Sequence, residues 1–294
     1  MKVVGFTFIR NAVTFDYPIV EAVRSILPLC NEVVVAVGKS DDKTLELIQS
    51  IDNQKLRIIE TVWNDADRDN GAVLAVETNK AFDAVTADAD WCIYIQGDEC
   101  FHEKFYATIR AAMAHWLDDA DTEGFVFRYR HFYGSFDYVA TSRQWYRQEV
   151  RVFRNDKTIR SWRDAQGFRK DGRKLKVREI DAEVHHYGWV RHPRAMQLKQ
   201  LNFNRLWHSE EEMKSLLTVE ADEFDYSVID DLAHFEGTHP SVFQPRIDAM
   251  NWQFSFDPTR ERRLRLKEKL SRWFENRTGR RVFEYRNFVK IGKA

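Results

Sequence analysis

Two periodicities of hydrophobic and polar positions alternate along the first hundred residues of the chain. Short apolar runs rich in Val, Ile and aromatic residues predict β-strands, and they lie at 3–9, 32–37, 56–60 and 91–95. Between them, longer segments repeat apolar positions every three or four residues, which is typical of amphipathic helices. These segments lie at about 17–27, 43–52 and 71–86. Strands that alternate with helices predict an α/β fold with right-handed crossovers and a mostly parallel sheet.

The pattern changes after Asp98. A helix is predicted at 102–117, and strands with large side chains on alternating faces are predicted at 124–130, 148–154 and 183–190. Beyond Arg194 the chain is predicted to be mainly helical. We therefore expect two parts, a first domain of residues 1–193 and a helical C-terminal extension of residues 194–294 that is packed on it.

The composition favours an ordered protein without a strong overall charge. Of the 294 residues, 44% are hydrophobic and 31% are charged, and the formal net charge is −1. A net charge so close to zero gives no reason to expect a nucleic-acid partner. The three cysteines, Cys30, Cys92 and Cys100, show no C-x-x-C spacing, which favours free thiols in a reducing compartment. No apolar run approaches the roughly 20 residues of a membrane-spanning helix, so we expect a cytoplasmic protein.

The last hundred residues of the chain separate their charges. Residues 210–236 contain ten acidic residues and one lysine, whereas residues 260–294 contain thirteen lysines and arginines and four glutamates. One interpretation is a pair of solvated helical segments that face each other. The other is a basic surface that binds an acceptor, or that contacts the inner face of a membrane peripherally. The sequence leaves both interpretations open.

The fourth predicted strand carries the most informative chemistry. Five apolar and aromatic residues are followed by Gln96-Gly97-Asp98-Glu99, so two carboxylates come directly after a short, buried strand. Ligands of open α/β sheets bind just beyond the carboxyl ends of such strands. Hard oxygen ligands at this place suit Mg²⁺ or Mn²⁺ that bridges to a phosphate. The alternative is structural, because acidic residues also cap helices such as the one predicted at 102–117.

Two common phosphate-binding loops are absent from the sequence. It has no G-x-x-x-x-G-K-[ST] segment, which excludes a P-loop, and no G-x-G-x-x-G segment follows the first strand, which argues against a Rossmann dinucleotide site. The turn after the first strand is instead Ile9-Arg10-Asn11-Ala12. The turn after the second strand is Gly38-Lys39-Ser40-Asp41-Asp42-Lys43-Thr44.

These features together resemble the family 2 glycosyltransferases of the GT-A fold. They are a first strand ending in Arg10-Asn11, a second ending in a turn of Gly, Ser, Asp and Thr, a helix that contains Asn79, and a fourth strand that ends in an acid pair. The sequence is most similar to bacterial members whose metal motif has the form leucine or isoleucine, Gln, a small residue, Asp, Glu. The resemblance covers roughly residues 2–190.

The resemblance implies a reaction as well as a fold. The fold is a mixed, mostly parallel sheet flanked by helices. The reaction is transfer of a sugar from a nucleotide diphosphate donor to a hydroxyl of a glycan or lipid-linked acceptor, with inversion and with Mg²⁺ or Mn²⁺, as in polysaccharide biosynthesis. No nucleic-acid partner is implied.

The family pattern also implies a metal site at the end of the fourth strand. Asp98 matches the second acid of the Asp-x-Asp motif, and Gln96 replaces the first, which removes one negative charge. Glu99 can compensate for that loss. In the family, a late histidine completes the metal shell or touches the diphosphate, and it falls in His185-His186-Tyr187-Gly188-Trp189. Side chains alternate along a strand, so one of the two histidines faces the cleft. The resemblance implies His186, which directly precedes the Tyr-Gly turn; the alternative is a structural histidine that binds no metal.

Further positions are implied for binding the nucleotide. Asp41 matches the aspartate that contacts the base or ribose, although it can equally be a helix cap. Thr7 and Arg10 line the same pocket from the first strand. Asn64 and Arg68 approach the nucleotide from the turn after the third strand.

An inverting transferase needs a general base that takes the proton of the acceptor hydroxyl. Asp164, in the polar segment Ser161-Trp162-Arg163-Asp164-Ala165-Gln166-Gly167, is the first candidate, and Glu149 is the second. Trp162 and Trp145 can offer faces on which a sugar stacks.

Three basic residues follow the predicted histidine, and two interpretations remain open for them. Arg191, Arg194 and Lys199 either hold the departing diphosphate or begin a solvated helix.

Two other functions remain open at this stage. The loss of an acid at Gln96 is compatible with a non-catalytic protein that binds a nucleotide-sugar or glycan on the same fold. A sugar-phosphate nucleotidyltransferase is the enzymatic alternative, but that chemistry needs a glycine-rich basic loop after the first strand, and the turn at Arg10-Asn11 has no glycine.

Overall fold

The protein is described by a computed structural model. It describes residues 1–64, 71–205, 222–229, 231–257, 271, 273–275, 277–278, 281 and 284–294. Within these ranges no helix is long and apolar enough to cross a bilayer. All three cysteines are buried and unpaired, as the sequence predicts.

The first half of the chain alternates strands and helices as predicted. Its elements are β1 (Val3–Ile9), α1 (Ile19–Ile26), β2 (Glu32–Gly38), α2 (Thr44–Gln49), β3 (Leu56–Thr61), α3 (Ala72–Asp83) and β4 (Trp91–Tyr94). The four strands are parallel and lie in the order β3-β2-β1-β4. Their carboxyl ends therefore meet at one edge of the sheet, where a ligand is expected.

The second half extends this sheet with antiparallel strands. Its elements are β5 (Glu99–Phe101), α4 (Tyr106–His115), β6 (Gly124–Tyr133), β7 (Tyr138–Ala140), β8 (Gln148–Arg154), β9 (Ile159–Trp162), β10 (Gly167–Lys170) and β11 (Arg173–Trp189). Strand β8 is antiparallel to both β4 and β6, whereas β6 and β11 are parallel. The mixed, helix-flanked sheet expected from the sequence is confirmed.

Strand β11 is much longer than the segment predicted at 183–190. Its first half is rich in charged residues, which hides the strand in a plain hydrophobicity pattern. Alternate side chains at Leu175, Val177, Ile180 and Ala182 are nevertheless buried. The register with β6 shifts between Glu179 and Glu183, which shows that a bulge accommodates the extra length.

The chain after residue 193 contains α5 (Pro193–Arg205), β12 (Leu232–His234), α6 (Gln244–Asp248) and β13 (Phe288–Lys293). Among the described residues of this region, the expectation that it is mainly helical holds for α5 and α6 but not for β12 and β13. Strand β12 pairs with β7, and β13 pairs in parallel with β11. Such short strands are stabilised by pairing with an existing edge rather than by a pattern of their own. The division into domains at residue 193 stays a prediction.

Two hydrophobic clusters lie on opposite faces of the sheet. Alternating positions of β1 contribute to both, because successive side chains of a strand point to opposite faces. Val4 and Phe6 join the cluster of α3, which includes Phe82. Val3 and Ile9 join the cluster that packs against α1, α2 and α4. The sheet edge that carries the carboxyl ends is thus held between two packed layers.

We expect Phe288 to be important for stability, because it ties β13 to the α3 cluster. Phe288 is 4% exposed, whereas its neighbour Val289 is 48% exposed. Phe288→Ala should lower the free energy of unfolding by about 3–5 kcal/mol. Val289→Ala, the matched control, should change it by less than about 0.5 kcal/mol. Urea denaturation measures both, and equal effects would contradict the observed packing.

Candidate active site

A cavity of about 730 Å³ opens at the carboxyl ends of β1, β2 and β4. This volume lies within the usual range of small-molecule sites. Its polar lining is Arg10, Asn11, Thr14, Asp41, Gln96, Asp98, His131, Asp164, Gln166, His186, Lys199, Gln200 and Asn202. Its aromatic lining is Phe8, Phe15, Tyr17, Trp63, Trp145, Tyr146, Trp189 and Phe203. Helix α5 closes one side of the cavity, because Lys199, Gln200, Asn202 and Phe203 belong to it.

The structure brings together most of the site residues predicted from the sequence. Six of them line the cavity: Arg10, Asp41, Gln96, Asp98, Asp164 and His186. Thr7, Asn64, Glu99 and Glu149 are not among the lining residues. Thr7 is fully buried within β1, and Asn64 is exposed one residue beyond Trp63. Arg68 lies outside the described residues.

The two acids after β4 have different environments. Glu99 is fully buried and forms a bidentate ion pair with Arg151 of β8, with both nitrogen–oxygen distances at 2.7 Å. The Tyr129 hydroxyl donates to Oε1 at 2.8 Å, and the backbone N–H of Gln96 donates to Oε2 at 3.1 Å. All four donors point at Glu99 from inside the protein. This arrangement argues against the metal-ligand role predicted for Glu99 and gives it a role in the scaffold.

Asp98, in contrast, faces the cavity and is paired with a buried lysine. Lys199 donates to Oδ2 of Asp98 at 3.1 Å and to the carbonyl of Gly188 at 2.7 Å. Burial disfavours the Asp98 carboxylate, but the neighbouring positive charges, that of Lys199 first, outweigh it and hold its pKa well below the usual range. Burial and the charge of Arg191 lower the pKa of Lys199 to about 8, against the pull of Asp98. Both groups are therefore charged at pH 7.

A chain of hydrogen bonds fixes the tautomer of His186. His131 Nε2 lies 2.7 Å from the carbonyl of Tyr146, which only accepts, so this nitrogen carries the proton. His131 Nδ1 then accepts from Nδ1 of His186 at 3.1 Å. Burial lowers the pKa of His131 to about 3 and that of His186 to about 4, so both rings are neutral at pH 7. Nε2 of His186 is left as an acceptor, 3.7 Å from Oδ1 of Asp98.

His185 lies on the other face of β11, as alternation along a strand requires. It is fully buried, and its Nδ1 lies 3.3 Å from the Tyr187 hydroxyl. The structure thus places His186, and not His185, at the cavity.

The residues present do not fit the resident Mg²⁺ or Mn²⁺ that the family resemblance implies. Of the three predicted ligands, Glu99 is occupied by Arg151, which leaves Asp98 and His186. Across the described ranges, no group of three His, Cys, Asp or Glu side chains is placed to hold an ion. The Asp98 carboxylate already faces two buried cations, Lys199 and Arg191, and their repulsion opposes a further cation of double charge.

The turns after β1 and β2 are joined by Asn11. Its side-chain oxygen accepts from the backbone N–H of Asp41 at 2.9 Å, and its own N–H donates to Ser40 Oγ at 3.0 Å. Asn11 adopts a left-handed conformation with φ of 52°, which asparagine tolerates better than most residues. The Arg10 guanidinium lies 5.4 Å from the centre of the Trp63 ring. These contacts hold an aromatic ring, a cation and a carboxylate at one end of the cavity.

Asp164 is carried by a loop of unusual backbone conformation. Its neighbours Arg163 and Ala165 have φ values of 55° and 61°, a region that costs energy for residues other than glycine. Gln96 donates to the carbonyl of Ala165 at 3.4 Å, and Arg151 donates to that of Gln166 at 3.2 Å. The loop is thereby fixed to the end of β4. Trp162, before this loop, is exposed and is not among the lining residues, whereas Trp145 is.

Glu149 is placed away from the cavity, beside the C-terminal strand. Its Oε1 accepts from Asn287 at 3.1 Å, and the residue is 3% exposed. Burial raises its pKa to about 8, although the nearby charge of Arg151 opposes this. A buried, protonated carboxyl group outside the cavity is poorly placed to take a proton from an acceptor.

Several residues of the site were not predicted from the sequence, among them His131, Tyr17 and Arg151. A signal for the first existed in β6, where Tyr129 and His131 lie two positions apart and so share a face. The sequence contains no local signal for Arg151, because its partner Glu99 is 52 residues away. Of the three basic residues after His186, Arg194 is exposed and paired with Glu223, whereas Arg191 and Lys199 are buried.

Comparisons with known proteins give similar structures but no similar sequences. No protein-family model matches the chain, and no curated protein sequence matches it. One similar structure is S. aureus TarS 1–349 in complex with UDP, with 16% identity and a TM-score of 0.40, over 75% of this chain and 67% of that one. A longer TarS structure shares 15% identity at a TM-score of 0.40, and the match covers 40% of it.

A third similar structure is glucosyl-3-phosphoglycerate synthase from Mycobacterium tuberculosis, in complex with Mn²⁺, UDP and glucosyl-3-phosphoglycerate. It has 14% identity and a TM-score of 0.30, over 45% of each chain. At these identities and TM-scores, the similarities assign no substrate or metal to this chain.

The position of Glu149 generates a prediction about pH and stability. Its pKa is about 8 in the folded protein against 4.5 as the ordinary value. Between these values the folded state keeps a proton that the unfolded state has lost, so stability falls as the pH rises, by up to about 1.4 kcal/mol per pH unit. Glu149→Gln has no ionisable group at this position, so its stability does not fall with pH in this way. The stability of the variant relative to the natural protein should therefore increase from pH 5 to pH 7.5.

Urea denaturation at pH 5 and pH 7.5 measures this gain. Glu60→Gln, on an exposed position of β3, is the control for the chemical change. A difference between Glu149→Gln and the natural protein that is the same at both pH values would contradict the raised pKa.

Proposed function

We propose that the chain is a glycosyltransferase that moves a sugar from a nucleotide diphosphate donor to an acceptor hydroxyl, with inversion. The observation that supports this most is Asp98 at the end of β4, paired with a buried lysine on the floor of a polar and aromatic cavity. Parallel sheets bind ligands at this edge. The proposal includes no resident metal, because the side chains around Asp98 do not fit one.

The nucleotide occupies the end of the cavity formed by the turns after β1 and β2. Trp63 offers a ring on which a base stacks, and Arg10 lies beside it. Asp41 lines the same end and can accept hydrogen bonds from ribose hydroxyls. Its position is fixed by the hydrogen bond from its N–H to Asn11.

The transferred sugar lies between Asp98 and the aromatic side chains of Trp145, Tyr146 and Trp189. Oδ1 of Asp98 and Nε2 of His186 are two acceptors 3.7 Å apart. Both can accept from sugar hydroxyls, and the His131 hydrogen bond keeps Nε2 of His186 free of a proton. Trp145, Tyr146 and Trp189 supply apolar faces for the sugar ring.

Asp164 acts as the general base in this proposal. It takes the proton from the acceptor hydroxyl as that oxygen forms a bond to the anomeric carbon. The bond from the anomeric carbon to the diphosphate breaks at the same time, and its electron pair leaves with the diphosphate. The loop that carries Asp164 is fixed through Gln96 and Arg151, which holds the carboxylate in position to take the proton.

The acceptor in this proposal is a glycan or a lipid-linked hydroxyl compound. Peripheral membrane contact through the basic C-terminal segment stays a prediction, because residues 258–270 lie outside the described residues. A cytoplasmic location likewise stays a prediction.

A screen of donors tests the proposal. UDP-, GDP- and dTDP-sugars are incubated with the protein and a mixture of simple glycosides, and release of nucleoside diphosphate is measured. CMP-sugars, which lack a diphosphate, are the control. Release from one class of donor supports the proposal, and the anomeric configuration of the product, read by NMR, tests inversion. Binding of a donor without turnover would favour a non-catalytic binding protein, and release of pyrophosphate from a nucleoside triphosphate would favour a nucleotidyltransferase.

The role of Asp164 leads to a specific prediction. Asp164→Asn keeps the size of the side chain but removes the base, so transfer should fall about 100-fold to 10,000-fold. Donor affinity should change little, because Asp164 acts on the acceptor. Asp171→Asn, in the exposed turn between β10 and β11, is the matched control. Steady-state kinetics with the best donor measure the effect, and full activity of Asp164→Asn would exclude this residue as the base.

A further inference from the structure

Lys199 occupies the position beside Asp98 at which the sequence predicted a metal ion. It comes from α5, a helix 101 residues further along the chain, and its ammonium group is buried. Two of its hydrogen bonds go to Asp98 and to the carbonyl of Gly188. An ammonium group has three donors, and Lys199 lines the cavity. Within the part of the chain that the structure describes, one donor thus remains for a ligand.

Arg191 adds a second buried cation behind the first. It is fully buried, and its Nη1 donates to the carbonyl of Phe15 at 2.6 Å. Its Nε and Nη2 have no hydrogen-bond partner in the described part of the chain. The ring of Tyr17 contacts both cations, with its centre 4.9 Å from Arg191 and 5.3 Å from Lys199. The two side chains therefore form one positive cluster, which Tyr17 joins to the cavity lining.

The charges of this cluster do not balance. Lys199 and Arg191 are two cations, and among the described residues Asp98 is the carboxylate that pairs with Lys199. Glu99, the other carboxylate after β4, is neutralised by Arg151. Asp41, Asp164 and Arg10 line the cavity at less buried positions. A buried excess of positive charge is costly unless an anion compensates it.

We propose that Lys199, supported by Arg191, binds the diphosphate of the donor directly and takes the place of a divalent metal ion. This inference rests on the glycosyltransferase function proposed above. The lysine donates a hydrogen bond to a phosphate oxygen, and the positive cluster supplies the charge that holds the donor. When the sugar–oxygen bond breaks, the electron pair stays on the diphosphate, and the ammonium group stabilises the added negative charge. No proton leaves Lys199 in this step.

Binding in the presence of a chelator tests the proposal first. Pyrophosphate is used as a probe without a base, together with UDP, GDP, ADP and dTDP, and each is titrated by calorimetry in EDTA and in Mn²⁺. We expect pyrophosphate and at least one nucleoside diphosphate to bind in EDTA. The dissociation constant of that nucleotide should change by less than about threefold when Mn²⁺ is added.

Three variants separate direct contact from a general effect of charge. Lys199→Met removes the ammonium group and should weaken binding by about tenfold to a hundredfold. Arg194→Met, on an exposed cation of the same helix, is the matched control and should bind as the natural protein does. The double variant Asp98→Asn with Lys199→Met removes one positive and one negative charge. It therefore keeps the net charge of the natural site and does not leave Asp98 unpaired.

The outcomes distinguish direct contact of Lys199 with the diphosphate from a general effect of charge and from metal-dependent binding. Loss of binding in the folded double variant supports direct contact, because the net charge is unchanged. Unchanged binding in Lys199→Met or in the double variant would overturn the proposal. Binding of a nucleoside diphosphate only with Mn²⁺ would also overturn it, while the glycosyltransferase function would stand. If no nucleoside diphosphate binds in either solution, both the inference and the proposed function fail.

Discussion

The buried ion pair between Glu99 and Arg151 is the constraint on which the site depends. Glu99 closes the turn after β4 through the N–H of Gln96, and Arg151 holds the carbonyl of Gln166. One pair thus fixes both the turn that presents Asp98 and the loop that carries Asp164. Removing one partner of a fully buried pair costs about 3–5 kcal/mol. The shape of the cavity and the stability of the fold are therefore linked.

Because of this ion pair, two adjacent carboxylates have different roles. The hydrogen bonds of Glu99 stabilise the scaffold, whereas Asp98, one position earlier, lines the cavity. Asp98 in turn holds Lys199, which belongs to a helix after the part of the chain that resembles a known family. The C-terminal region is thus part of the site and not an appendage to it. Strand β13, which also lies after residue 193, pairs with β11.

Local pattern predicts the first half of the fold well. The apolar runs predicted the bounds of β1 to β4 to within one residue at each end. This is because buried parallel strands consist almost entirely of apolar residues. Arg10 and Asp41, which the family resemblance implied, line the same cavity as Asp98. Local pattern by itself placed Asp98 at the carboxyl edge of the sheet. It could not identify the partner of Glu99, nor β12 and β13, because each depends on residues far away in the sequence. Whether Lys199 was a ligand or part of a solvated helix was undecidable for the same reason.

A crystal structure with a bound nucleoside diphosphate, grown in EDTA, is the most direct test of the role of Lys199. We expect a phosphate oxygen within about 3.2 Å of Nζ of Lys199, with the base against Trp63. A diphosphate bound elsewhere in the cavity, with Lys199 still held by Asp98 and Gly188 alone, would contradict it.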